Sequence, residues 1–287
     1  MKKVLLLLVV TAMAAGIWAA PAGAASAPNA TWLWNPWMFV EDESGTIAFL
    51  KEKNVERVFV QIDRSVPQAS YRSFIRRAGT EGISVYALDG APEWAAPKGD
   101  RHLTTMMNWL GDYQKRAGAA ERFQGVHLDV EPYLLSSWNS NRAKTIADFQ
   151  SLLLTAKRQS AAAGLPLEAD LPFWFDEISF KNKNGSGNLA EWVIQQLDGV
   201  TLMAYRDTAS AINEIVKNEM AFAAKHKTPV TVGVETMQSH EGNHVTFFEE
   251  GEAYMKQQLD LVSARYAGPY YGGTAIHHVD SWKTMKP

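Results

Sequence analysis

The stretch Gly125-Val126-His127-Leu128-Asp129-Val130-Glu131-Pro132-Tyr133 decides how the rest of the chain is read. Side chains on a strand repeat every two residues. His127, Asp129 and Glu131 therefore share one face, and Val126, Leu128 and Val130 the other. Such a strand offers hydrocarbon to one neighbour and an imidazole with two carboxyls to the opposite side. Buried carboxylates are costly unless paired or hydrogen-bonded, so the polar face is expected to open on a site. Two carboxyls two residues apart are also the minimum for tuned acid–base chemistry.

Working outward, seven further β-branched and aromatic runs surround this one: 31–39, 55–63, 82–89, 165–172, 199–205, 229–235 and 272–279. Amphipathic stretches separate them, at 68–79, 102–117, 143–163, 189–197, 209–225 and 247–267. Eight strands alternating with helices predict an α/β fold, a single (β/α)8 TIM barrel. After the eighth strand only 280–287 remain, so the last helix is expected to be short or missing. A doubly wound open sheet is the alternative, but no Gly-rich phosphate loop follows the first strand.

The N-terminus reads as a signal peptide over residues 1–24. Lys2 and Lys3 precede an apolar run from Val4, and Ala22-Gly23-Ala24 fits a small-residue cleavage site. The mature chain, 25–287, is expected to be one barrel domain, secreted or periplasmic, monomeric and off the membrane once cleaved. The chain has no cysteine, which excludes disulfides and a thiolate nucleophile. Without Lys2 and Lys3, 26 basic side chains face 31 acidic ones, a formal charge of −5. That balance argues against nucleic acid as a partner. Ten Trp, nine Tyr and twelve Phe are a large aromatic complement, suited to stacking on sugar rings as well as to core packing.

Barrel sites lie at the carboxyl ends of the strands. The first strand ends in Trp34 and Trp37, and the second in Gln61 and Asp63. Asp89 ends the third and Asp129, Glu131 and Tyr133 the fourth. The later ends carry Asp170 and Trp174, then Met203, Tyr205 and Arg206, then Glu235, and lastly His277, with Trp282 just beyond. Acids that hold hydroxyls and indoles that stack on sugars are what a poly- or oligosaccharide cleft requires.

These residues resemble glycoside hydrolase family 18, the chitinase-like barrels. The family's D-G-x-D-x-D-x-E on strand four corresponds to Gln124-Gly125-Val126-His127-Leu128-Asp129-Val130-Glu131. Its M-x-Y-D on strand six corresponds to Met203-Ala204-Tyr205-Arg206, and its strand-eight Gly pair to Gly272-Gly273, with His277 in the usual Trp position. The first two Asp of the strand-four motif are thus Gln124 and His127. The resemblance implies a retaining glycoside hydrolase, acting on a polysaccharide that contains N-acetylhexosamine. It implies Glu131 as general acid, Asp129 as the partner that orients the 2-acetamido group, and Tyr205 in support. Trp34, Trp37, Gln61, His127, Tyr133, Asp170, Trp174, Met203, Arg206, His277 and Trp282 are the expected substrate contacts.

Two other readings stay open. Clan A glycosidases place an acid–base Glu on strand four and a nucleophilic Glu on strand seven, here Glu131 and Glu235. A polysaccharide-binding barrel without catalysis would account for the departures at Gln124, His127, Arg206 and His277. Metal-assisted hydrolysis could draw on His127, Asp129, Glu131 and the His277–His278 pair. However, the H-x-H of amidohydrolase barrels is replaced on the first strand by Trp32-Leu33-Trp34-Asn35, so neither a metal nor a cofactor is expected.

Overall fold

The alternation of strand-like and helical runs closes on itself. In the computed structural model, which describes residues 29–287, eight parallel strands form a closed barrel. The expected leader, residues 1–24, lies outside the described residues. The strands are β1 (Asn29–Leu33), β2 (Val55–Gln61), β3 (Ser84–Asp89), β4 (Gly125–Leu128) and β5 (Leu167–Pro172). A polar hairpin follows, β6 (Ser179–Asn182) with β7 (Gly185–Asn188). The barrel then resumes with β8 (Gly199–Met203), β9 (Val230–Glu235) and β10 (Tyr271–His277). Around the barrel the order is β1-β10-β9-β8-β5-β4-β3-β2, closing on β1.

The alternation along each strand sorts the core into two regions. Outward-facing Val58, Val60, Val85, Ala87, Val126, Leu128, Val230, Val232 and Val234 pack beneath the helices. The helix Gln68–Thr80 shows why the helices stay: Tyr71, Phe74, Ile75 and Ala78 line one face and are fully buried. Each large side chain buried in this way contributes about 1.5–3 kcal/mol. Inside the barrel is a smaller apolar group, Ala30, Trp32, Phe59, Tyr86, Leu88 and Ala275. Gly233 faces this interior because nothing larger fits. A Cβ there would lie 2.7 Å from the Leu202 carbonyl oxygen and 3.2 Å from the Trp32 ring.

Several boundaries differ from the expectation. The first strand stops at Leu33 rather than continuing to Phe39. Pro36 lacks an N–H and leads into a short helix, Trp37–Glu41. A helix over Glu43–Glu52, unforeseen in the sequence, starts where the Asp42 side chain accepts a bond from the Gly45 amide at 2.9 Å. The stretch 209–225 is two helices, Ala209–Ile215 and Lys217–His226, meeting at Val216. The final helix, Val279–Thr284, is only six residues long. A groove of about 940 Å³ lies on the outer wall, lined by Lys53, Met255, Leu259, Tyr271, Ile276 and Trp282 among others.

Candidate active site

The decisive strand ends sooner than its pattern suggests. Regular pairing stops at Leu128, and Asp129 to Glu131 run on beyond it. The Asp129 amide donates to the Asp89 carbonyl at 3.2 Å, which ties the exit of β4 to the end of β3. Gly90 makes this approach possible, since a Cβ there would lie 2.0 Å from the Asp129 carbonyl oxygen. Pro132 then starts a single 3-10 turn, Pro132–Leu134, which brings the Tyr133 hydroxyl back to donate to Glu131 Oε1. Tyr133 is held by Trp174, ring centre to ring centre 5.1 Å. Glu131 is partly exposed at the mouth, with its geometry set by this turn.

The electrostatics single out Asp129. Its Oδ1 is buried without a hydrogen-bond partner. Burial, and then the charges of Asp170 and Glu131, push its carboxyl well above the ordinary carboxylate range, while His127 works the other way. Tyr205, at the exit of β8, faces the same cluster. Burial first, and then Glu235, Asp170, Asp129 and Tyr133, drive its hydroxyl pKa up, so it stays a neutral donor. The Tyr133 hydroxyl is likewise pushed up, by burial and by Glu131. The structure thus brings together Glu131, Asp129, Tyr133, Tyr205 and Asp170 at the carboxyl ends of β4, β5 and β8.

A second constellation sits across the mouth, where His277 of β10 stands in register with Glu235 of β9. Both oxygens of Glu235 are occupied. Oε1 accepts from the Thr236 and Met237 amides at 2.8 Å each, and Oε2 lies 2.9 Å from His277 Nδ1. Burial opposes its ionisation, but the bond from His277 and the two amides hold its pKa below the usual range. Trp34 Nε1 donates to His277 Nε2 at 3.0 Å. An indole N–H only donates, so Nε2 accepts and Nδ1 carries the proton given to Glu235.

Three expected substrate contacts need correcting. His127 is fully buried below Asp129 and stacks on Phe59 at 3.7 Å, so it cannot touch a ligand. Asp170 is 5% exposed and its Oδ2 accepts from Trp32 Nε1 at 3.0 Å, so it acts on the site through its charge. Trp282 lies outside the cleft. Its ring packs against Phe49 and its Nε1 donates to Glu252 at 2.9 Å. The short helix after β10 turns that side chain toward the barrel wall, a reversal that strand periodicity does not reveal.

The remaining expected contacts line the rim. Trp37 is exposed, with its Nε1 fixed by Asp63 at 3.1 Å. With Trp34, Gln61, Asp63 and Asp89 it borders an open cavity of about 570 Å³ at the tops of β1 to β3. This cavity is smaller than the wall groove, and its link to the titratable cluster is Asp89, whose backbone carbonyl accepts from the Asp129 amide. Gln61 donates to Asp89 at 3.3 Å. Met203 and Trp174 are partly exposed. Arg206 lies over the Phe173 ring at 4.9 Å and donates to the Tyr205 carbonyl at 2.7 Å. Sequence reasoning missed Gly90, Glu168 and Arg57. Glu168 stands two residues before Asp170 on β5, and that alternation was the signal available.

No family model matches the sequence, and no curated protein sequence matches it. Solved structures do match in shape. A glycoside hydrolase family 18 chitinase from Pseudoalteromonas aurantia is similar over 88% of this chain and 94% of its own, at 12% identity and a TM-score of 0.57. An endo-β-N-acetylglucosaminidase from Cordyceps militaris is similar over 90% of this chain and 83% of its own, at 14% identity and a TM-score of 0.55. The second catalytic domain of an Ostrinia furnacalis group II chitinase, a mutant in complex with penta-N-acetylchitooctaose, covers 88% of this chain and 90% of its own. It shares 11% identity, at a TM-score of 0.52. The chain has the barrel fold of the chitinase-like glycoside hydrolases.

Proposed function

We propose that the chain is a retaining glycoside hydrolase acting on a polysaccharide that contains N-acetylhexosamine. The observation that carries this reading is the Asp129–Glu131 pair, placed at the barrel mouth with Asp129 half-buried, its Oδ1 shut off from solvent, and its carboxyl driven toward the protonated form. The similar structures, chitinases and an endo-β-N-acetylglucosaminidase, support the substrate class.

Glu131 protonates the leaving glycosidic oxygen. The carbonyl oxygen of the 2-acetamido group then attacks the anomeric carbon, forming a cyclic oxazolinium and releasing the leaving group as an alcohol. The carbonyl oxygen of the Asp129 carboxyl accepts from the acetamido N–H and so orients that group for attack. Tyr205, kept neutral by its surroundings, donates to the acetamido oxygen. Water, deprotonated by Glu131, attacks the anomeric carbon from the face the leaving group left and breaks its bond to the acetamido oxygen, so configuration is retained. Trp37 at the open rim provides a platform for the apolar face of a more distant sugar.

A double displacement with Glu235 as nucleophile is less well supported, because three donors already occupy both oxygens of Glu235. A thiazoline analogue of the substrate against a 2-fluoro glycoside trap distinguishes the two. Tight inhibition by the thiazoline with no covalent adduct is expected. A stable adduct on Glu235 would overturn the acetamido-assisted route. The non-catalytic reading predicts glycan affinity without turnover, unchanged in Glu131→Gln. Secretion of the mature chain from 25 onward follows from the leader and is tested by N-terminal sequencing of the exported protein.

A further inference from the structure

His127 has no place in the reaction just described, yet charge surrounds it. Its Nε2 lies 3.0 Å from Asp170 Oδ1 and its Nδ1 3.7 Å from Glu168 Oε2, contacts of charge and not of hydrogen-bond geometry. The ring is fully buried, stacked on Phe59 at 3.7 Å with the Trp32 edge 6.3 Å away. Glu168 is bonded in turn by Arg57 at 2.7 Å, and Asp170 by the Trp32 indole. Arg57 compensates Glu168, which leaves His127 as the only cation in contact with Asp170 among the described residues. Without it Asp170 would keep the Trp32 bond but no counter-charge, and a buried ion without one costs several kcal/mol, so the geometry calls for an imidazolium. Two residues separate His127 from Asp129 on the same face of the chain, a rise of roughly 7 Å.

We propose that His127 is a standing imidazolium and a positioning residue for the Asp129–Glu131 pair: its charge, exerted directly and through Asp170, sets the pH range in which the pair holds one proton. The proposal rests on the hydrolase reading above for its effect on turnover, but not for the charge itself. Every group facing the ring bears on it: Asp129 on its own strand, Glu168 and Asp170 on β5, and Arg57 on β2 through Glu168. Tyr86 on β3 lies under Arg57 at 4.8 Å, and β1 contributes only the neutral Trp32. Burial alone would discharge the ring, but Asp170 and Glu168 outweigh it and hold its pKa at about 9. Removing the cation leaves Asp129, whose pKa His127 works to lower, with more affinity for protons. At this separation and an effective dielectric near 20, the change is roughly ten-fold or more.

The test uses the mature enzyme and His127→Asn. Both limbs of the kcat/KM profile are expected to move to higher pH, by about one unit. The carboxyl titration of Asp129, followed by 13C NMR without substrate, should move the same way. A merely structural role would lower the melting temperature and leave both limbs and the titration where they are, which would overturn the proposal. Should the variant fail to fold, 15N NMR of the wild-type histidine rings decides. One ring doubly protonated at pH 8 is expected, and a neutral His127 at pH 7 would refute the proposal whatever the turnover. Absence of turnover on every glycan in the wild type would instead sink the hydrolase reading and leave the charge on His127 to the NMR result.

Discussion

Glu219 offers a quantitative test of how the fold treats a carboxyl without a function. It lies on the helix Lys217–His226, is fully buried, and neither carboxyl oxygen has a hydrogen-bond partner. Burial, with a smaller contribution from Asp176, raises its pKa to about 8, while its own amide works slightly the other way. The sign follows from linkage. The folded carboxyl keeps its proton to a higher pH than the unfolded one, so the stability present below about 4.5 is lost as pH rises toward about 8. Glu219→Gln keeps the shape and removes the titration. At about 1.36 kcal/mol per pH unit, the variant should gain roughly 3–4 kcal/mol on the wild type between pH 5 and pH 8. For a chain of this size that is roughly 10 °C in melting temperature. Thermal unfolding followed by circular dichroism at pH 5, 6, 7 and 8 measures it directly. A gap between the two proteins that stays constant across this range would refute the reasoning.

Two further expectations concern the site. Gly90→Ala places a methyl against the Asp129 carbonyl and must displace the exit of β4; activity is expected to fall at least ten-fold with a destabilisation of about 1–3 kcal/mol, read by kcat and by denaturant unfolding. Unchanged kcat would show that the Gly90–Asp129 contact does not position the pair. Trp37→Ala removes an exposed platform; KM on long oligosaccharides should rise while KM on a disaccharide and the melting temperature stay constant, and an equal rise on both substrates would count against a distant sugar subsite.

Much of the barrel was legible because strand periodicity and helix periodicity differ, and eight alternations leave few other closures. Thr231, Gly233 and Glu235 face inward and Val230, Val232 and Val234 outward, as alternation alone requires. Boundaries were less legible where local chemistry overrode composition. Trp34 to Phe39 is aromatic enough to read as strand, but Pro36 turns it into a helix. The hairpin β6–β7 consists of Ser, Lys, Asn and Gly around a single Phe180, which is buried against Trp192, so its strand pairing comes from contact with the body of the protein more than from propensity. At the site, Asp129, Glu131, Tyr205 and Glu235 were found because they sit at strand ends. Sequence reasoning placed His127, Asp170 and Trp282 in the cleft because it orders residues along a strand but not by depth in the barrel. Depth is set by which strand ends first, and β4 ends at Leu128.

The central claim is that Glu131 is the acid of a glycoside hydrolase. The direct measurement is hydrolysis of an N-acetylglucosamine oligosaccharide by the wild type and by Glu131→Gln, with melting temperatures recorded on the same samples. The wild type should turn over with retention, and the variant should lose roughly 100-fold or more in kcat at a nearly unchanged melting temperature. Turnover in Glu131→Gln within a few-fold of the wild type would contradict the account.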